Sequence, residues 1–134
     1  MKIETLEQAR RAAFMGAYRG LRHQGWKRAY HEGVCSTRLR AADGTVMCCA
    51  VGWLAPDASI GWTPECARLV ELPSPEKLAA PLADWFVNAN SSDRIAFHNF
   101  LDLLRSAHDY AKDPEHMLLA FETIRAQNNW PIPS

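Results

Sequence analysis

No uninterrupted apolar run in the chain approaches the roughly 20 residues that cross a bilayer, so no spanning helix is expected. The opening residues Met1 to Thr5 lead straight into a charged amphipathic pattern and lack the apolar stretch of a secretory signal. A soluble, cytoplasmic protein is the expectation. Charge of one sign is missing too: 15 Lys and Arg balance 15 Asp and Glu, whereas a dedicated nucleic-acid binder is strongly basic. The chain has no Cys-x-x-Cys pair, the spacing that usually announces structural zinc. It also has no internal repeat and no low-complexity segment.

What is present suits one domain spanning 1–134. With 134 residues, 48% of them hydrophobic, the chain can build a single core without a metal or disulfide staple. Two of the four cysteines, Cys48 and Cys49, are adjacent. That suits no common disulfide scaffold, and free thiols are expected in a reducing cytosol. The balanced charge is unevenly spread. Residues 1 to 44 carry nine Lys/Arg against four Asp/Glu, and the rest carries six against eleven. Either the basic first helix packs near acidic later ones, which is the simpler reading, or each sign meets a separate partner.

The pattern predicts an α+β fold, predominantly α, with four to five helices packed around a small antiparallel β-hairpin. A first helix is expected from Thr5 to Gln24, opened by the capping box Thr5-Leu6-Glu7-Gln8 and stopped by Gly25. Leu6, Ala9, Ala13, Gly16, Ala17, Gly20 and Leu21 share one face, opposite Arg11, Arg19 and Arg22. The small residues on the buried face invite close approach by another helix. Residues 26 to 33 read as a connector. Val34 to Leu39 and Thr45 to Cys48 read as strands about an Asp43-Gly44 turn. Thr63-Pro64-Glu65 and Ser74-Pro75-Glu76 carry helix-start signals. The first of these helices should end near Leu72, and Pro81 is expected to break or kink the stretch running to Val87. Helices from Asp93 to Lys112 and from Asp113 to Gln127 follow, then an extended tail at Trp130 to Pro133.

The stretch Cys35, Arg38, Asp43-Gly44, Cys48-Cys49-Ala50-Val51-Gly52-Trp53-Leu54 and Pro56-Asp57 resembles a segment of small uncharacterised phage and prophage proteins. In those a Cys and an Arg precede Asp-Gly, and Cys-Ala-Ile/Val-Gly, a Leu and Pro-Asp follow. A leucine-rich helix ending in His-Asp lies downstream, matched here by Leu103-Leu104 and His108-Asp109. The present chain departs in a longer hairpin loop and in Met47-Cys48, where a Lys often precedes the single Cys. The resemblance implies a mobile-element origin and a bacterial host cytoplasm, and little chemistry.

Three chemistries can be drawn from the residues. Cys49 at the start of a short helix would have a lowered pKa, with His108 as its base and Asp109 or Asp57 orienting the imidazole, as in a cysteine hydrolase or transferase. A packed core set is the commoner explanation. His31, Cys35, Cys48 and Cys49 could be assembled as a zinc set. Neighbouring strand residues point to opposite faces, however, so no metal is expected, and no cofactor. Arg11, Arg19 and Arg22, with Trp26 and Tyr30 nearby in sequence, could meet nucleic acid. A solvated helix face is the simpler reading. Arg38, Trp53, Asp57 and Trp62 are the candidates for binding a ligand or partner, the two tryptophans bracketing a loop that could present one of them outward. The favoured expectation is a non-enzymatic accessory protein that binds a host protein or a small ligand.

Overall fold

A computed structural model describes residues 2–31, 34–35, 38–40, 46–56, 68–69 and 74–134. Helix α1 (Leu6–His23) begins with the expected capping box: the Gln8 N–H donates to Thr5 Oγ1 at 3.1 Å, and the Thr5 N–H donates to Gln8 Oε1 at 3.2 Å. It ends in a Schellman motif. Gly25 takes φ +71°, its N–H donates to the Arg22 carbonyl, and the Trp26 N–H reaches back to the Leu21 carbonyl at 2.8 Å.

Among the described residues the hairpin region holds short strands in two sheets. Strands β1 (Tyr30–His31) and β2 (Val34–Cys35) form one antiparallel pair. Strand β3 (Arg38–Arg40) pairs with β4 (Val46–Cys48) and also with β5 (Arg68–Leu69). The expected single strand from Val34 to Leu39 is therefore two strands in two sheets, and the 26–33 connector contains a strand of its own. Register places Cys35 opposite Tyr30 and Arg38 opposite Cys48, so Cys35 and Cys48 do not face each other across the hairpin.

Strand β4 runs into a 3-10 turn (Gly52–Leu54), and a second 3-10 turn covers Pro75–Lys77. The helix expected to open at Thr63 begins outside the described residues. Within its span Arg68–Leu69 is strand, because pairing with β3 completes a three-stranded sheet. The stretch from Ser74 to Val87 is divided at Leu78–Ala79, and Pro81 follows directly on the division. It sits in the first turn of α2 (Ala80–Asn88), where a missing N–H leaves no helical bond unmade. Helix α3 (Ser91–Asp109) starts slightly earlier than expected because Asn90 caps it, accepting from the Asp93 N–H at 2.8 Å. Helix α4 (Pro114–Gln127) is capped by Asp113. It closes in a second Schellman motif in which Asn129 takes φ +56°.

Helix α1 is the centre of the packing, touching α2, α3 and the Gly52–Leu54 turn. Phe14 and Tyr18 meet Phe121, Trp26 and Trp130 on one side, and Trp85, Phe86 and Phe97 form a second aromatic group. The expected close approach along Gly16 and Gly20 occurs, but its partner is the 3-10 turn and not a long helix. A Cβ on Gly16 would stand 2.7 Å from Leu54 Cδ2, and one on Gly20 would enter the Trp53 indole. Among the described residues no helix is long and apolar enough to cross a membrane.

Candidate functional site

Cys49 follows β4 at the entrance to the 3-10 turn. Its side chain is buried, and Sγ accepts the Gly52 N–H at 3.3 Å. Burial pushes the thiol up to about 12, the N–H groups of Gly52 and Val51 oppose that only in part, and the Asp109 carboxylate adds to it. The short turn does not deliver the lowered pKa expected of a thiol at a helix start. His108 is fully buried. Its Nε2 accepts the Ala29 N–H at 3.0 Å, which leaves the proton on Nδ1, 2.7 Å from Asp109 Oδ1. Both ring nitrogens are thus engaged. Among the described residues no hydrogen bond joins Cys49 to His108. Arg28 adds a bond from Nη1 to the Asp109 carbonyl at 3.2 Å, so the end of α3 fastens the 27–29 segment at two points.

The same region holds a residue that sequence reasoning missed. The Gln24 side chain donates from Nε2 to the Lys27 and Cys48 carbonyls at 2.7 and 2.9 Å. Its Oε1 accepts from the Cys48 N–H at 3.0 Å and from Trp53 Nε1 at 2.9 Å. One amide therefore ties the end of α1 to β4 and to the 3-10 turn. A glutamine at a helix end carries no signal that would have announced this. Arg38, a candidate for ligand binding, is buried behind the turn, where Nη2 donates to the carbonyls of Gly52 and Ala55 at 3.3 and 3.0 Å. Burial raises the Cys48 thiol, and Arg38 partly offsets it. Trp53 is half-buried and lines a shallow hollow of about 310 Å³ with Ala12, Gly16, Leu54 and Leu82. Asp57 and Trp62 lie outside the described residues. Among the described residues no group of three or more His, Cys, Asp or Glu could hold a metal ion.

The three arginines assigned to the outer face of α1 separate. Arg22 is committed to the C-terminal segment, donating to the Pro133 and Ser134 carbonyls at 2.7 and 3.0 Å. Arg11 and Arg19 are exposed and border an open groove of about 640 Å³. Ala12, Met15 and Gly16 line its α1 side, and Pro131 to Ser134 form the facing wall. That segment is seated by Trp130, which is buried, donates from Nε1 to Glu7 at 2.8 Å and is held through its carbonyl by Arg125 at 2.9 Å. The extended tail was legible from its prolines, but where it docks depends on contacts across more than a hundred residues. Trp26 and Tyr30, the aromatics placed near these cations by sequence, are elsewhere: Trp26 packs on Tyr18 and Phe121, and Tyr30 lies under Arg28.

No family model, no curated protein and no solved structure matches the chain.

Proposed function

We propose that this is a non-enzymatic accessory protein of a phage or prophage, acting in a bacterial cytoplasm by binding a host protein or a small ligand. The observation that carries the reading is the contrast between two regions. The residues with catalytic chemistry, Cys49, His108 and Asp109, are engaged in holding the 3-10 turn and the 27–29 segment in place. The residues that reach an open concavity, Arg11, Arg19 and Met15, suit recognition. A cysteine hydrolase would need an ionisable thiol and an imidazole nitrogen ready to accept its proton. Here the thiol is pushed up to about 12, and Nε2 already accepts a backbone N–H.

Native mass spectrometry after affinity capture from a bacterial lysate tests this, comparing wild type with Cys49→Ala. A stoichiometric partner or bound small molecule, kept by the variant, is the expected outcome. Substrate turnover, or a covalent adduct, that disappears in Cys49→Ala would overturn it in favour of the thiol enzyme.

A further inference from the structure

We infer that the groove between α1 and the C-terminal segment is a docking site for an acidic amphipathic helix of another protein. This rests on the binding role proposed above and names the chemistry of the partner.

Arg10 bonds Glu7 and Asn128, Arg22 the tail, Arg28 Asp109, Arg94 the Phe86 and Val87 carbonyls, and Arg125 Glu122 and Trp130. Arg38 is bonded inside the fold, and Arg105 stands 3.9 Å from Asp102. Arg11 and Arg19 have no hydrogen bond or ion pair among the described residues, and both line the groove. No Asp or Glu lines it with them, and the main-chain oxygen of Ser134 in the facing wall is taken by Arg22. Two cations without internal partners, beside an apolar floor, match carboxylates supplied from outside.

Spacing and shape narrow the partner. The α1 residues in the groove, Gln8, Arg11, Ala12, Met15, Gly16 and Arg19, recur at three- and four-residue steps and so form one stripe. Eight residues separate Arg11 from Arg19, about 12 Å along the axis at 1.5 Å per residue. A partner helix lying along α1 meets that spacing with acids two turns apart. Its apolar face would then rest on Ala12, Met15 and Ile132, the last of which is 63% exposed. A volume of about 640 Å³ accepts several side chains from one face of such a helix. Single-stranded nucleic acid fits less well. It favours aromatic platforms between its phosphates, and among the described residues no aromatic side chain lines the groove.

The test is selection of a displayed library of amphipathic helical peptides, randomised at the charged positions, against the full chain. Enriched peptides should carry acids about two turns apart beside an apolar face. Their affinity should fall about tenfold or more for Arg11→Glu with Arg19→Glu, and also for Ile132→Glu, with thermal unfolding unchanged in both. Enrichment without acids, no enrichment, or affinity indifferent to both variants would overturn the inference. So would tighter binding of a single-stranded oligonucleotide that the double variant abolishes. A lysate partner kept by both variants would remove this groove as its site while leaving the binding role intact. Peptides that bind where the lysate yields no partner would do the reverse.

Discussion

The amide of Gln24 has two N–H donors and a carbonyl with two lone pairs, and all four positions are occupied. Two of them reproduce, from a side chain, the paired donor and acceptor of a neighbouring strand along Cys48. His108 solves a similar problem with two contacts, one to a backbone N–H and one to a carboxylate. In both cases a polar group is carried into the fold with its bonds made, so deleting part of it strands a partner. Gln24→Glu keeps the shape but turns a second oxygen toward the Lys27 and Cys48 carbonyls. It should lower stability by about 1–3 kcal/mol in urea unfolding. A loss below about 0.5 kcal/mol would mean that water replaces those bonds without penalty.

At the scale of elements, the approach of the 3-10 turn to α1 sets two glycines apart. Alanine is the better helix former by about 1 kcal/mol, so propensity alone favours replacing either. At Gly16 the added methyl meets the far end of Leu54, which can rotate away, and Gly16→Ala should change stability by less than about 1 kcal/mol. At Gly20 it enters the rigid indole of Trp53, whose Nε1 is bonded to Gln24. Gly20→Ala should therefore cost about 1–3 kcal/mol despite the helical gain. Thermal unfolding of the two variants side by side checks this, and equal midpoints would contradict it. These elements also mark what could be read beforehand. Helices α1, α3 and α4 were legible because caps and apolar spacing are local properties, as at Thr5 and Asp113. Strand β5 was not, since two residues become strand only through pairing with β3. Pro81 marks the division of the 74–88 stretch but not its place, because a helix breaker and a first-turn proline differ only in where the helix starts. At the site, Arg11 and Arg19 were legible as outward cations, whereas the engagement of Arg22, Arg38 and His108 depended on distant carbonyls and N–H groups.

For the whole molecule, the buried proton donors set an alkaline limit to the fold. Tyr18, on α1, donates to Glu122 of α4 at 2.7 Å, and Glu122 is also bonded by Arg125 at 2.7 Å. Burial first, and the Glu122 bond second, push the Tyr18 hydroxyl from 10.0 up to about 12. Cys49 rises from 9.0 to about 12, and Cys48 is also raised from 9.0, in each case mainly through burial. All three are held in the protonated form by folding, so above pH about 9 the unfolded chain has lost protons that the folded chain retains. Stability is therefore fully present below the unfolded values and falls as pH rises toward 12. The steepest slope should be on the order of 2–4 kcal/mol per pH unit. Glu122 works in the opposite sense on the acid side: its Tyr18 bond lowers it from 4.5, so its contribution is present above that value and lost as pH falls through the folded one. Urea unfolding across a pH series should show a plateau bounded by these two limbs, with the alkaline limb shallower in Cys49→Ala than in wild type. A wild-type plateau continuing unchanged to pH about 11 would show that the thiol and phenol reach water in the folded state, and with it that the Cys49 region is open enough for the chemistry argued against above.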